Sequence, residues 1–406
     1  MARKGTNAMS RPRLAVLGGG IMGVMTALYA ARRGAEVVLF ERNSRILCGA
    51  SRYNEGKIHL GCLYSASKGL DTARQVLPGG LQFQALCEDI LEQSLDALMT
   101  PEDDLYLVHP DSVVTADTVS AYMRAIADLV ADHPDRPLSR HDVGPARFTE
   151  VSKSDLGSLT SERITAGFRV PERSVATQPF ADLLEDRVLG DPNITVLPRH
   201  TVFRAGEATG GRMSVETDRG SAGAFDAVVN ALWEGRPAVD LRSTGHRDPV
   251  CHHRFRLSAF VTNHHATHPS AVVCAGPFGD IKAYGGGRFY VSWYPAGLLA
   301  QGEGTDPPAA AMPSPDHEKT LLQDIAHGLG AVLPGVAEVF RDAADCRLGG
   351  GWVYAQGRGS LDDPASSLHK RNLLGVRRYG RYFSVDTGKF STAPLMAKSL
   401  TEALIS

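Results

Sequence analysis

Cysteine is scarce in this sequence of 406 residues, and its six cysteines are spread from Cys48 to Cys346. They form no Cys-x-x-Cys pair, and Cys48 and Cys62 lie too far apart to resemble the close pair of a disulfide reductase. This usage argues against a disulfide-rich secreted scaffold and favours a reduced chain in the cytoplasm. Metal-ligand patterns are also lacking, because the histidine pairs that begin at His252 and His264 do not follow the His-Glu-x-x-His arrangement. We therefore expect a cytoplasmic protein without a bound metal.

An excess of charge of one sign is lacking too. The chain has 43 lysine and arginine residues and 45 aspartate and glutamate residues, which gives a formal net charge of -2. This balance produces no strong field that would attract nucleic acid, so we expect no nucleic-acid partner.

One uncharged stretch, Leu14 to Ala31, has a length that invites comparison with a signal peptide or a membrane helix. The glycines at 18–20 would weaken a spanning helix, and the stretch leads directly into a second strand-like run, Ala35 to Phe40. We therefore predict a buried strand–helix–strand unit and no integral membrane segment.

Hydrophobic periodicity predicts that this unit consists of a strand at Arg13–Leu17, a helix at Ile21–Arg33 and a parallel strand at Glu36–Phe40. Further helices are predicted at Gly80–Met99, Asp117–Asp132, Gln178–Leu189, Pro315–Leu333 and Thr392–Ile405. Short strands are predicted at Asn193–Val202, Ser214–Thr217, Ala227–Asn230, Arg254–Thr262, Ala271–Ala275, Ile281–Tyr284 and Phe289–Tyr294. The pattern indicates an α/β nucleotide-binding fold that is interrupted by a largely antiparallel α+β region.

Residues 18–23 read Gly-Gly-Gly-Ile-Met-Gly and match the Gly-x-Gly-x-x-Gly motif between the first predicted strand and helix. In such a loop Gly18 permits a tight turn, Gly20 lets the backbone approach a pyrophosphate, and Gly23 lets the helix pack against the strand. Glu41 ends the second strand, where it can accept hydrogen bonds from ribose hydroxyls. The motif predicts a dinucleotide site at the helix N-terminus.

The segment after Glu41 stays in a polar, glycine-punctuated loop instead of starting another long helix. With Glu41-Arg42 before it, the loop resembles the D-amino-acid oxidase superfamily of flavoproteins, since Ala50, Ser51, Asn54 and Gly56 match Ala-Ser-x-x-Asn-x-Gly. The resemblance implies FAD as cofactor. It also implies a Rossmann-like FAD-binding domain of the glutathione-reductase type and a substrate domain built on an antiparallel sheet.

Three later segments agree with this resemblance: residues 193–202, the Val-Val-Asn-Ala run that ends at Ala231, and residues 385–394 before the last helix. The sequence departs from the family at Ala231-Leu232-Trp233-Glu234, where a small residue and glycine are usual after Asn-Ala, and Trp233 would either alter access to the cofactor or simply pack. The cofactor contacts implied are Gly18, Gly20, Ile21, Met22, Gly23, Glu41, Arg42, Ser51, Arg52, Asn54, Gly56, Lys57, Val202, Ala231, Gly388, Lys389, Phe390 and Ser391. The division implied is residues 12–80, 152–238 and 370–406 for the FAD-binding domain and 81–151 and 239–369 for the substrate-binding domain.

Residues 54–64 are most similar to the L-2-hydroxyglutarate and glycerol-3-phosphate dehydrogenases of this superfamily, which carry a similar Ile-His-x-Gly beside the flavin. The resemblance implies that His59 is a catalytic base or a substrate ligand, and an imidazole suits removal of a hydroxyl proton while hydride goes to flavin N5. Lys389 is a second catalytic candidate, placing positive charge near the flavin N1–C2=O edge. The competing interpretations are a histidine bonded to its own loop and an exposed lysine.

The strand from Arg288 alternates two faces, and the face with Arg288, Tyr290 and Tyr294 suits a polar, anionic ligand. The predicted substrate-binding residues are Tyr284, Arg288, Tyr290, Tyr294 and Arg378, with Arg254 and Arg256 as further candidates. Surface arginines and core aromatics are the competing interpretation.

The resulting hypothesis is an FAD-dependent oxidoreductase that oxidises a CH–OH or CH–NH centre of a small polar substrate. Oxygen or another acceptor would reoxidise the flavin, and no second glycine motif indicates a site for NAD(P)H. An amino-acid or amine oxidase, a tailoring oxidase for a sugar or natural product, and a flavin-binding protein without turnover remain open. A flavin monooxygenase or halogenase is a further alternative, although the Trp-x-Trp-x-Ile-Pro signature of the halogenases is missing.

Overall fold

The computed structural model describes residues 11–67, 69–208, 210–370 and 372–405. The strands are Arg13–Leu17 (β1), Glu36–Phe40 (β2), Lys57–Ile58 (β3), Asp104–Val108 (β4), Thr149–Val151 (β5), Ala166–Val170 (β6), Arg173–Ser174 (β7), Ile194–Leu197 (β8), Val202–Glu207 (β9), Met213–Thr217 (β10), Gly220–Phe225 (β11), Ala227–Asn230 (β12), Cys251–Thr262 (β13), Ala271–Cys274 (β14), Gly279–Tyr284 (β15), Arg288–Trp293 (β16), Leu298–Glu303 (β17), Asp345–Gln356 (β18), Gly375–Tyr379 (β19) and Tyr382–Asp386 (β20). The α-helices are Ile21–Arg32 (α1), Asp71–Leu91 (α2), Ala116–Ala131 (α3), Lys153–Leu156 (α4), Thr177–Leu189 (α5), Arg236–Thr244 (α6), Tyr294–Gly297 (α7), Pro315–Gly330 (α8), Val336–Phe340 (α9) and Ala393–Leu404 (α10).

The first sheet contains the predicted strand–helix–strand unit. Its strand order is β19-β20-β12-β1-β2-β8, and β1 runs parallel to both β2 and β12. Helix α1 connects β1 to β2 and is buried along its length up to Ala31, so it packs in the core rather than presenting one face to solvent. The uncharged stretch seen in the sequence is therefore a buried part of this sheet and its helix.

The second sheet is mostly antiparallel, as the fold class predicts. Its order is β17-β13-β16-β15-β14-β4-β6-β5, and β18 pairs along the whole length of β13 from Cys251 opposite Gln356 to Thr262 opposite Asp345. Strand β6 belongs to this sheet although it falls within the 152–238 stretch of the predicted division. The exact division into two domains stays a prediction.

Helix α2 differs from its prediction of Gly80–Met99, which is wrong at both ends. The helix begins at Asp71, runs through Pro78-Gly79-Gly80 and ends at Leu91, where Glu92 takes a left-handed φ of 58°. Tertiary packing explains why two glycines lie inside it, because a Cβ on Gly80 would lie 2.0 Å from the carbonyl oxygen of His59. Gly80 thus lets α2 pack directly against the backbone that carries His59, and Gly79 lets it pack against Thr392.

The described ranges contain no helix that combines the length and the apolar character needed to cross a membrane. The same ranges also contain no group of three or more histidine, cysteine, aspartate or glutamate side chains arranged to hold a metal ion.

Candidate active site

A cleft of about 800 Å³ opens beyond the carboxyl ends of β1, β2 and β12. The residues that follow these three strands line it: Gly18 after β1, Glu41 after β2 and Ala231 after β12. Ligands of open α/β sheets bind outside the carboxyl ends of the strands, so this is the expected position for a dinucleotide.

The side chains of Glu41 and Ser51 hydrogen-bond to the backbone of the glycine loop and of the first turn of α1. The Glu41 carboxylate accepts from the Gly19 N–H at 2.9 Å and from the Asn43 backbone N–H at 2.7 Å. Ser51 Oγ accepts from the Ile21 N–H at 2.9 Å, at the first turn of α1. The cleft therefore combines a buried carboxylate, a hydroxyl and a helix N-terminus, which are the groups that ribose and pyrophosphate require.

Most of the predicted cofactor contacts lie in the wall of this cleft. These are Gly18, Gly20, Ile21, Met22, Glu41, Arg42, Ser51, Asn54, Lys57, Val202, Ala231, Gly388, Lys389 and Phe390. The other four, Gly23, Arg52, Gly56 and Ser391, lie behind the wall. Arg52 donates to Asp182 Oδ1 at 2.7 Å, while Ser391 Oγ accepts from the His59 backbone N–H at 3.2 Å. These two side chains therefore support neighbouring segments of the wall.

His59 and Lys389, the two predicted catalytic residues, both line the cleft, and both lie near Tyr64. The His59 ring centroid is 5.9 Å from that of Tyr64, and Lys389 Nζ is 5.4 Å from the same ring. The side chain of His59 is buried, with 2% of the residue exposed. The structure therefore brings an imidazole and an ammonium group to one end of the cleft.

Two more charged side chains, Glu55 and Lys57, complete this end of the cleft. Burial alone would lower the pKa of Lys57, but the carboxylates of Asp104 and Glu172 raise it, and Lys57 Nζ lies 3.1 Å from Asp104 Oδ2. Burial alone would raise the pKa of Glu55, but the charge of Lys389 and two further cations lowers it. Lys57 therefore stays cationic and Glu55 stays ionised in the cleft wall.

The described lining of the cleft includes none of the five predicted substrate-binding residues. Tyr284 donates to the Glu55 carbonyl oxygen at 2.8 Å, and the Tyr290 hydroxyl accepts from Ser258 Oγ at 2.9 Å. The Tyr294 ring lies 4.4 Å from the Arg256 guanidinium. Arg288 and Arg378 donate to the carbonyl oxygens of Gly285 and Gly380 within their own hairpin turns. A substrate role for these five residues stays a prediction.

Trp233 occupies the position at which the sequence departs from the superfamily. It lines the cleft and has a left-handed φ of 55°, a conformation that glycine adopts without strain and other residues rarely adopt. Its Nε1–H donates to the Trp352 carbonyl oxygen at 2.8 Å, and its ring packs edge-on against Tyr354. The side chain thus packs against β18 and forms part of the cleft wall.

The turn that carries Lys389 is held by a buried ion cluster. Asp386 Oδ1 accepts from the Gly388 N–H at 3.1 Å, and Asp386 Oδ2 accepts from Arg236 Nη2 at the same distance. Arg236 is 1% exposed and also binds Asp248 Oδ2 at 2.7 Å. Because burial of an arginine requires paired carboxylates, the cluster fixes the turn relative to α6.

Asp248 makes the stability of this cluster depend on pH. Burial alone would raise the pKa of Asp248, but Arg236 and Arg377 hold it below its usual value. A carboxyl with a depressed pKa stabilises the fold above its unfolded pKa of about 3.9 and loses this contribution as the pH falls further. We therefore expect the melting temperature to fall more steeply below about pH 4 in the wild type than in Asp248→Asn, as measured by calorimetry. Asp89→Asn, at an exposed aspartate, is the control, and its melting temperature should depend on pH as in the wild type. The same pH dependence in all three proteins would contradict the role of Asp248.

The fold and the cleft are those of a dinucleotide-binding protein, and comparison with known proteins identifies it as a flavoenzyme. The DAO family model, described as FAD dependent oxidoreductase, matches residues 13–403, and the chain belongs to this family. The protein is thus an FAD-dependent oxidoreductase, and FAD is its cofactor. No curated protein sequence matches the chain.

Solved structures of low sequence identity share the fold. Glycine oxidase from Geobacillus kaustophilus is 15% identical, with a TM-score of 0.69 over 97% of this chain and 95% of that chain. L-alpha-glycerophosphate oxidase from Mycoplasma pneumoniae, with FAD bound, is 13% identical, with a TM-score of 0.65 over 98% of this chain and 95% of that chain. Iminodiacetate oxidase from Chelativorans sp. BNC1 is 14% identical, with a TM-score of 0.65 over 97% of this chain and 95% of that chain.

The residues of the cleft fit FAD. Gly20 has only Ser51 Oγ, at 3.2 Å, near the position of a Cβ, so its backbone faces the cleft without a covering side chain. Glu41, which follows β2, suits the ribose, and the turn at Gly388 and Lys389 lines the same cleft. Glu55 was missed by the sequence reasoning, although its neighbours Asn54 and Lys57 were identified.

Proposed function

We propose that this enzyme oxidises a CH–OH centre of a small, polar, anionic substrate, with His59 as the base that takes the hydroxyl proton. The observation that carries the proposal is the shared position of His59 and Lys389 beside Tyr64 in the cleft wall. FAD, when bound, supplies flavin N5 as the hydride acceptor. A neutral imidazole accepts a proton efficiently near neutral pH, which supports His59 in this role.

Lys389 favours an anionic substrate. This residue lines the cleft, whereas the ammonium group of Lys57 is bonded to Asp104 and Tyr106 and is already paired there. Lys389 provides positive charge that would offset negative charge developing in this part of the cleft.

Oxidation of a CH–NH centre is the second candidate, and Glu55 favours it. An ionised carboxylate in the wall would hold a substrate ammonium group by a charge-assisted hydrogen bond. Amino-acid and amine oxidation thus stays open beside hydroxyl oxidation.

An anaerobic panel tests the proposal. The FAD-loaded enzyme is mixed with L-2-hydroxyglutarate, sn-glycerol 3-phosphate, glycine, L-proline, a neutral aldose and NADPH, and loss of the oxidised flavin band is followed. We expect a hydroxy acid or a polyol phosphate to reduce the flavin fastest. Faster reduction by an amino acid would favour the second candidate, and reduction by NADPH alone at a catalytic rate would overturn both.

A Glu55→Gln variant separates the two candidates. Hydrogen bonds to charged groups contribute about 1.5–3 kcal/mol, so loss of the charge should raise the KM of an amine substrate about tenfold or more. The KM of a hydroxy acid should change by less than about threefold, since it makes no ammonium contact with Glu55. The ratio of the two KM changes, measured in steady state, decides between the candidates.

A further inference from the structure

Glu172 is a buried carboxylate behind the wall of the cleft, with 0% of the residue exposed. It lies between β6 and β7, and β7 pairs with β3 so that Arg173 stands opposite Ile58. The backbone of Glu172 is therefore next to the point at which β3 leads into His59.

One oxygen of Glu172 binds three consecutive backbone amides. Oε1 accepts from the N–H of Leu60 at 2.7 Å, of Gly61 at 3.0 Å and of Cys62 at 3.1 Å. The amides converge because Gly61 takes a φ of 113°, which residues with a side chain rarely adopt. These are the three residues that directly follow His59, so the carboxylate fixes the course of the chain as it leaves the histidine.

The second oxygen of Glu172 is also paired. It accepts from the Tyr106 hydroxyl, and Lys57 Nζ lies 3.9 Å away. Burial and, next, the charge of Glu172 raise the pKa of Tyr106, so its hydroxyl keeps the proton that it donates. A buried carboxylate is costly unless it is paired and hydrogen-bonded, and here both oxygens are.

Other contacts hold the same loop from its remaining sides. The Tyr122 hydroxyl donates to the Gly61 carbonyl oxygen at 3.0 Å, and Ser391 Oγ accepts from the His59 N–H. Gly80 of α2 packs against the His59 carbonyl group. Among these contacts, Glu172 makes the largest number of hydrogen bonds to the loop. It is also the only carboxylate for which the described residues show bonds to the loop.

We propose that Glu172 is the positioning residue for His59: its carboxylate holds the backbone of residues 60–62 so that the imidazole stays in the cleft wall. The role in the reaction rests on the proposed function, since it matters for turnover only if His59 takes the substrate proton. Glu172 itself lies outside the lining and acts through the loop.

Hydrogen exchange of the FAD-loaded full chain tests the contact with the loop. Glu172→Gln keeps an oxygen acceptor but removes its charge, so the amides of residues 60–62 should exchange about tenfold faster than in the wild type. The matched control is Glu185→Gln, a buried carboxylate on α5 paired with Arg45 at 3.0 Å, which should leave this peptide unchanged. Tyr106→Phe serves as a milder variant if Glu172→Gln yields no folded protein, with an expected increase of about twofold to threefold. Unchanged exchange in the folded Glu172 variant, or in Tyr106→Phe where that variant replaces it, would overturn the proposal.

A double-mutant cycle tests the role in the reaction. With the fastest substrate of the anaerobic panel, Glu172→Gln should slow flavin reduction by about tenfold in the wild-type background and by less than about twofold in His59→Gln. Equal slowing in both backgrounds would overturn positioning through His59. If His59→Gln alone keeps the wild-type rate, the base proposal and the positioning role both fall, while the exchange result still decides whether Glu172 holds the loop.

Discussion

Gly23→Ala should abolish FAD binding, because the new methyl group has no space. A Cβ on Gly23 would lie 1.9 Å from the Gly18 carbonyl oxygen and 3.3 Å from Val16 Cγ1. The oxygen belongs to the backbone of the glycine loop, so it can move only if the loop leaves the position that the pyrophosphate requires. We expect the purified variant to carry less than about a tenth of the wild-type FAD, measured from the ratio of flavin to protein absorbance.

Gly330→Ala provides the matched control for this substitution. Gly330 ends α8, and none of the described residues lies within 4 Å of an ideal Cβ at this position, so the same methyl group meets open space. Alanine is a better helix former than glycine, and this variant should keep its FAD and its stability. Full FAD content in Gly23→Ala would show that the loop can shift without losing the cofactor, contrary to the close packing inferred here.

The nucleotide end of the cleft could be predicted from the sequence because its determinants are local. The three glycines, the helix start at Ile21 and the acid at Glu41 lie within one strand–helix–strand unit. Their spacing alone fixes which groups meet at the carboxyl ends of β1 and β2. Residues from distant segments, such as Val202 and Ala231, required the resemblance to a family as well.

The substrate-facing residues could not be predicted in the same way. In β16, Phe289 and Val291 lie in the hydrophobic core, and Tyr290 on the other face is buried as well, so that face is covered rather than open. Tyr284 on the neighbouring strand bonds the Glu55 carbonyl oxygen, which indicates that the loop around Glu55 lies over that face. Periodicity identifies the two faces of a strand, whereas the layer that covers each face depends on contacts between distant segments.

Glu172 illustrates the same difficulty more sharply. Its hydrogen-bond partners in the loop after His59 lie 110 to 112 positions away in the chain. Nothing in the local sequence of residues 171–173 distinguishes it from a surface acid, and β18, with three consecutive glycines at 349–351, likewise lacks a strand signature. Such contacts depend on tertiary packing, which a local pattern does not encode.

His59→Gln should slow substrate-driven flavin reduction by about 10²-fold or more, because glutamine cannot take the hydroxyl proton. FAD content should remain near the wild-type level, because the substitution leaves the glycine loop and Glu41, which would hold the nucleotide, unchanged. Glutamine is preferred to alanine as the replacement because it leaves a smaller cavity at a buried position. Single-turnover stopped-flow traces under anaerobic conditions measure the rate directly.

The control for this variant is His268→Gln. His268 is also buried, but it bonds the Pro269 carbonyl oxygen and lies outside the lining of the cleft, so its variant should reduce flavin at the wild-type rate. A His59→Gln rate within about threefold of the wild type would contradict base catalysis by His59 and leave it a structural role in its loop. Another group would then have to accept the proton, and Glu55 is an ionised group in the same wall.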